Sequence, residues 1–532
     1  MVKNMSEVKK RCYVTTPIYY ASGRVHIGNS YSTVVADAYA RYHRLKGDDT
    51  FFLTGMDEHG LKIEEAAKKK DQSPQEFVDE IADFTNDLWK NLKITNDDFI
   101  RTSQKRHVKV VQDVFEKLLE SGDIYLGAYE GWYCTPCESF WTDTQVGENH
   151  VCPDCGREVH KAHEECYFLK LKKYEQQLLD FIKANPDFIQ PETRKNEVVS
   201  FIESGLEDLC VSRTTIKWGI PVRSNPKHVV YVWIDALTNY ISALGYSSDD
   251  DTKYQKYWLN SDEVIHVVGK DILRFHAIYW PIMCMALNVP ITFKVYAHGW
   301  ILMKEGKMSK SKGNLVYPMD VVNRYGLDAL RYYLVKEMPL GNDGLFTWER
   351  FIERYNVDLA NDLGNLVSRS ISMINKYFGG TVVKNDKAYF TFDAELEEVA
   401  KKAIEDYQKQ FEAFHFQDGL EAIWTLISRA NKYIDETMPW ALAKDESKKN
   451  ELNDVLYHLY EVLRLVSIMI IPVMEDSAKI IASELCVKAE DLTFDSLYFG
   501  KVKEAKVVGK AEVLFTRLNM NEELEKINGD NK

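Results

Sequence analysis

The chain has 532 residues, 45% hydrophobic and 28% charged, with a formal net charge of −14. That length exceeds one core and implies about three to four domains of ~100–200 residues. The acidic balance excludes a protein that coats nucleic acid through bulk electrostatics, while leaving room for a local RNA contact.

No low-complexity tract or repeat of solenoid period appears, and no apolar stretch follows the basic start. The longest greasy run, 462–474, carries Arg464 and Pro472 and falls short of the ~20 residues a bilayer needs. A cytoplasmic protein with no membrane partner is expected.

In chain order, a strand at 12–16 leads through a Pro/Tyr/Gly loop to His26-Ile27-Gly28-Asn29, and a helical pattern covers 31–46. A second strand at 51–54 ends in Gly55-Met56-Asp57-Glu58-His59-Gly60, and amphipathic helices follow at 74–92 and 104–120. Strand, tight turn and helix build a parallel sheet that takes ligands at its carboxyl edge. From 122 to about 221 this rhythm breaks into short, cysteine- and aromatic-rich pieces, which predicts an insertion. It resumes with strands at 229–233, 264–268 and 293–297 and a helix at 272–287, and a Lys/Gly/Ser loop covers 303–314. After 348 the period is helical to about 485, broken near 379–385. An apolar run at 511–518 then precedes a polar tail expected to fray.

Nine cysteines in a chain without a secretory signal point away from disulfides and towards metal ligands. Cys134-x-x-Cys137 and Cys152-x-x-Cys155 form two knuckles fourteen residues apart, with Pro136, Pro153 and Gly156 as turn residues. Four thiolates make a closed tetrahedral site, which suits one structural zinc per chain and leaves no open position for catalysis. Cys12, Cys166, Cys210, Cys284 and Cys486 are scattered and read as core cysteines.

His26-Ile27-Gly28-Asn29 stands at a helix mouth, where free N–H groups and the positive dipole end suit a phosphate. Taken alone, the tetrapeptide fits a surface turn equally well. Lys307-Met308-Ser309-Lys310-Ser311 places two lysines on a loop that can close over a triphosphate. A solvated basic loop is its plainer alternative.

The first motif resembles the HIGH signature of class I aminoacyl-tRNA synthetases, and the second matches their Lys-Met-Ser-Lys-Ser signature. Within that class the chain is most similar, over nearly its whole length, to the methionyl-tRNA synthetases. Pro17-Ile18-Tyr19-Tyr20-Ala21-Ser22-Gly23, Gly55-Met56-Asp57-Glu58-His59-Gly60, Tyr231-Val232-Trp233-Ile234-Asp235-Ala236 and Gly269-Lys270-Asp271 resemble that family's blocks. Asn29 departs from the pattern, standing where most of the class has a second histidine.

The resemblance implies a Rossmann-type parallel sheet split by a zinc-binding insertion and followed by an all-α anticodon-binding bundle. The expected domains are 1–121 and 226–350 for the two catalytic halves, 122–225 for the insertion, 351–510 for the helical domain and 511–532 for a closing segment and tail. It further implies methionine contacts from Ile18, Tyr20, Asp57, Trp233, Ala236, Tyr240, Ile272, Phe275, His276 and Trp280. Asp57 is the carboxylate that takes the α-amino group. Without the family, Trp233 and Trp280 read as core aromatics.

ATP contacts are implied for His26, Gly28, Asn29, Gly269, Asp271, Lys307, Ser309 and Lys310, with His26, Asn29, Lys307 and Lys310 on the phosphates and Mg²⁺ accompanying ATP. Arg213 matches a family arginine near the active site. Asn365, Arg369 and Trp440 match residues that meet the anticodon, by base stacking and edge hydrogen bonds. The expected activity is therefore ATP-dependent activation of L-methionine and its transfer to a tRNA with a CAU anticodon. The insertion is too short for the hydrolytic editing domain that Ile, Val and Leu enzymes of the class carry, and a non-catalytic RNA-binding relative tends to lose more signature residues. With no extra module after Leu518 and no heptad seam, a monomer is expected.

Overall fold

A computed structural model describes residues 9–530 except 136–138, 142, 147, 154, 305, 308–314 and 386–388. The chain divides into two compact units, residues 1–25 with 49–298 and residues 26–48 with 299–532.

The first unit is built on a six-stranded parallel sheet in the order Asp98–Arg101, Asp49–Asp57, Arg11–Tyr20, Glu263–Gly269, Phe293–His298, Ile189–Gln190. Its central strands are apolar on both faces, as helices covering both sides require. The chain order reverses at Arg11–Tyr20, so the crevice between that strand and Glu263–Gly269 is the switch point where such sheets bind ligands. Pro17 lies inside the first strand, where its missing N–H interrupts the ladder, and the register shifts between Thr15 and Ile18. Thr16 bridges the gap by donating to Thr54 Oγ1 at 2.7 Å.

The insertion carries an antiparallel sheet ordered Ser139–Trp141, Ile124–Cys134, His160–Leu169, Leu209–Cys210. Its two-residue strand Ile189–Gln190 joins the edge of the parallel sheet, a link too short to leave a periodic trace in sequence.

Two expectations are corrected. Residues 229–233 are not a strand of the parallel sheet. Only Val229–Val230 is extended, antiparallel to Ser212–Arg213, and the helix Val232–Ser242 follows. The apolar run continues beyond Trp233 at helical spacing, and a buried helix and a buried strand look alike over five residues. The tail does not fray at 520–530: Met520–Asp530 is a helix that buries Ile527, and Tyr325 donates to Glu523 at 3.0 Å.

In the second unit, the helix Ile27–Lys46 packs on Leu327–Glu337. Buried Asp37 receives Arg331 at 2.7 Å, and Arg331 also donates to the carbonyls of Pro472 and Val473. Thr391–Glu412 packs along Phe416–Thr437. Gly419 permits that approach, since a Cβ there would lie 2.5 Å from the Phe411 ring. Lys449–Met469 is buried almost throughout and forms the centre of the bundle. The greasy run at 462–474 is thus core, and among the described residues no helix is long and apolar enough to cross a membrane.

Candidate active site

The carboxyl edge of the parallel sheet gathers the residues expected to meet methionine. Ile18 and Tyr20 end the first strand, and Asp57 ends its neighbour, in register with Tyr20. Trp233, Ala236 and Tyr240 recur at helical spacing on Val232–Ser242, with Ala236 packed against Ile18 and Trp233. Phe275 and His276 lie on a π-helical stretch, Phe275–Tyr279, a distortion frequent at functional sites. The Trp233 and Phe275 rings stack at 3.3 Å and 10°. Ile18, Tyr20, Trp233, Ile272 and Phe275 are half-buried, whereas Tyr240, His276 and Trp280 are buried beneath them.

That floor is polar but neutral. His276 Nδ1 lies 2.9 Å from the Ile272 carbonyl and must donate to it, so Nε2 accepts from the Tyr240 hydroxyl at 2.7 Å. Burial lowers the His276 pKa to about 4 and raises that of Tyr240, which keeps both groups uncharged. An apolar wall over a neutral floor suits a thioether, which gains from sulfur–ring contact.

The turn after Asp57 is clamped at successive residues. Glu58 takes Arg101 at 2.6 Å and Ser103, while His59 Nδ1 contacts buried Asp235 at 2.6 Å. Gly60 donates to the Trp218 carbonyl at 3.1 Å. His59 and Gly60 also line a small cleft with Arg213, Trp218 and Tyr231. Arg213 donates to Glu164 at 2.8 Å and lies 4.4 Å over the Tyr133 ring. Burial pushes Glu164 up, but Arg213 and the N–H groups of Thr214 and Thr215 outweigh it and hold the carboxyl below its usual range. At the end of Glu263–Gly269, a Cβ on Gly269 would sit 2.5 Å from Asp271 Oδ1, so the glycine lets that carboxylate fold back. Sequence reasoning missed the roles of Glu58, His59, Glu164 and Asp235; the visible signal was a charge inside an otherwise apolar run at Asp235.

In the second unit His26 caps the helix Ile27–Lys46. Its Nδ1 accepts from Gly28 N–H at 3.1 Å, which places the ring proton on Nε2. Asn29 Oδ1 accepts from the His26 N–H at 3.4 Å, which leaves the Asn29 amide group as the donor end of that side chain. Ile27 N–H bonds to the Val316 carbonyl at 2.9 Å, tying this helix start to the segment that follows the lysine loop. Lys307 closes the strand Gly306–Lys307, its backbone paired with Leu302. Ser309 and Lys310 lie outside the described residues.

Cys134, Cys152 and Cys155 bring their Sγ atoms within 4.8 Å of one another, with Cys134 and Cys155 at 3.6 Å. Cys137 lies outside the described residues. Gly156 at φ +68° turns the second knuckle, and its N–H bonds to the Cys152 carbonyl at 2.8 Å. Val146, Val159, Trp132 and Trp141 pack around the thiols. Tetrahedral zinc with sulfur at about 2.3 Å has S···S edges of about 3.8 Å, so this donor set fits it.

Asn365 opens the helix Asn365–Phe378, and Arg369, one turn on, reaches Asp435 at 3.3 Å on the helix Phe416–Thr437. Five residues beyond Asp435, Trp440 is 43% exposed on the short helix Pro439–Leu442, so it is no core residue. The three residues thus lie along adjoining elements of one bundle.

Residues 12–166 and 158–371 match the family model described as "tRNA synthetases class I (M)", and 383–529 match "Anticodon binding domain of methionyl tRNA ligase". Curated relatives include a methionine–tRNA ligase of Oceanobacillus iheyensis, 53% identical over 96% of this chain and 77% of its own length. Another, from Bacillus subtilis, is 52% identical over 99% of this chain and 80% of its own. A Mycobacterium tuberculosis methionyl-tRNA synthetase solved with methionyl-adenylate superposes with a TM-score of 0.90 at 38% identity, covering 95% of this chain and 100% of that one.

Proposed function

The chain belongs to the methionyl-tRNA synthetases, class I ligases that couple methionine to tRNA at the expense of ATP, and from that premise we propose how its own residues divide the work. Asp57 takes the α-amino group of methionine, and Ile18, Tyr20, Trp233, Ala236, Tyr240, Ile272, Phe275, His276 and Trp280 take the side chain. The observation that carries this assignment is the stacked Trp233–Phe275 pair over the neutral Tyr240–His276 floor, at the edge where Asp57 ends its strand.

ATP is held through His26, Gly28, Asn29, Gly269, Asp271, Lys307, Ser309 and Lys310. The methionine carboxylate attacks the α-phosphorus, giving methionyl-adenylate as pyrophosphate leaves; the terminal ribose hydroxyl of tRNA then takes the methionyl group and AMP leaves. No side chain acts as a covalent nucleophile, so the protein contributes positioning and charge stabilisation. Mg²⁺ entering with ATP would supply neutralising charge beside the phosphates. The phosphate role is supported by the place of His26 and Asn29 at the mouth of the helix Ile27–Lys46, where both side chains form its cap.

Cys134, Cys137, Cys152 and Cys155 hold one structural zinc, supported by the three clustered thiols. Asn365, Arg369 and Trp440 read a CAU anticodon, supported by the exposure of Trp440 five residues beyond Asp435, the partner of Arg369. The catalytic halves 1–121 and 226–350, the insertion 122–225 and the bundle 351–510 are the proposed functional divisions, working in the cytoplasm.

The test is Asp57→Asn. It should raise the KM for methionine about a hundredfold while leaving that for ATP unchanged, because a buried charge-assisted bond to an ammonium contributes about 3 kcal/mol. Equal increases for both substrates would remove Asp57 from the amino-group role.

A further inference from the structure

Beneath the carboxyl edge lies a buried, hydrogen-bonded cluster of one carboxylate and two imidazoles that none of the roles above uses. Asp235, on the helix Val232–Ser242, is fully buried, and both its carboxylate oxygens are engaged. Oδ2 lies 2.6 Å from His59 Nδ1, and Oδ1 lies 2.8 Å from His107 Nε2. His107, on the helix Lys105–Glu120, continues to Ser242 Oγ at 2.7 Å. Burial alone pushes the Asp235 carboxyl up, but the two imidazoles outweigh it and hold it below the usual carboxylate range.

The placement gives this cluster a task. Trp233, Ala236 and Tyr240 occupy one side of the helix, and Asp235 and Ser242 another. His59 stands two residues after Asp57 in the same turn. Its neighbours Glu58 and Gly60 are tied to Arg101, Ser103 and Trp218, none of which lies on the pocket helix. Among the described residues, the His59–Asp235 bond therefore joins the turn of the amino-group carboxylate to the helix of the thioether wall.

We propose that Asp235 is a positioning residue for substrate recognition: by holding His59 and His107 together it sets the spacing between Asp57 and the Trp233 wall. This rests on the assignment of Asp57 to the amino group. An amino acid is recognised at both ends, and a short buried hydrogen-bonded link resists the ångström-scale drift that would cost binding. Asp235 touches no reacting atom.

The experiment measures methionine-dependent pyrophosphate exchange by Asp235→Asn, with two competitive inhibitors: L-methioninol, which has the α-amine, and 4-(methylthio)butan-1-ol, which lacks it. The expected result is a roughly tenfold higher KM for methionine, with kcat and the KM for ATP held within twofold. The methioninol inhibition constant should rise by the same factor, and that of the amine-free alcohol should stay put. His107→Gln retains a donor near the Nε2 position and should stay close to wild type, whereas His107→Leu should reproduce the Asp235→Asn pattern. That pair carries the test if Asp235→Asn does not fold.

Equal weakening of both inhibitors, or no change in either, overturns the proposal. Asp57→Asn run alongside separates the two ideas. If it discriminates between the inhibitors and the Asp235 and His107 variants do not, the positioning role alone fails. If Asp57→Asn does not discriminate, the amino-group assignment fails and takes the positioning role with it.

Discussion

His276 takes its chemistry from its surroundings. It is buried, donates through Nδ1 to a helix carbonyl and accepts through Nε2 from Tyr240. Its pKa falls from 6.5 to about 4, so between those values the unfolded chain binds a proton that the folded one refuses. The stability tied to the neutral ring is whole above pH 6.5 and is lost as pH falls towards 4; at pH 5 the loss is about 2 kcal/mol. His276→Gln should therefore flatten the drop in urea-unfolding free energy between pH 7 and pH 5 by about that amount. An unchanged slope would mean that the ring is not held neutral by burial. At this scale the sequence is partly opaque. Trp233 and Trp280 look identical as letters, yet one is half-buried beside Phe275 and the other wholly buried against Phe293. Only the family resemblance singled them out. Asp235 is opaque in the sequence because it lies just past the strand expected at 229–233, so nothing there reveals the helix face it shares with Ser242.

Elements with local rules are easier to read than elements with long-range ones. The cysteine knuckles are legible because two short spacings and their turn residues contain the whole instruction, and three of the four thiols meet as the spacing requires. The strand Ile189–Gln190 is illegible because its place at the sheet edge is decided by packing across a hundred residues, not by its two letters. If the knuckle holds structural zinc, Cys152→Ser should bring zinc towards zero per chain and lower the melting temperature of the insertion; stoichiometric zinc in the variant, read by atomic emission, would refute the ligand set.

Trp440 belongs to this scale because it sits on the short helix Pro439–Leu442, which Met438 at φ +45° precedes. Stacking on a base contributes about 1–3 kcal/mol. Trp440→Ala should cut kcat/KM for charging a CAU tRNA about ten- to a hundredfold while tRNA-independent pyrophosphate exchange barely changes. Equal loss in both assays would make the tryptophan structural.

For the whole molecule, a chain of net charge −14 works on a polyanion, so its RNA contact must be local rather than a matter of bulk charge. The order of motifs along the chain was legible: helix-mouth tetrapeptide, knuckles, aromatic blocks, lysine loop, helical region. The packing that puts Ile27–Lys46 with the helical region, through Asp37–Arg331 and Arg41–Glu475, was not, because those pairs are separated by about 300 to 430 residues. The most direct measurement is exchange of labelled pyrophosphate into ATP by the purified chain, one amino acid at a time. Methionine should drive exchange with a kcat/KM at least about a hundredfold above that of leucine, isoleucine, valine or cysteine, the separation a pocket shaped for a thioether can supply. Exchange driven equally by one of those four, or no exchange with methionine while ATP still binds, would contradict the account.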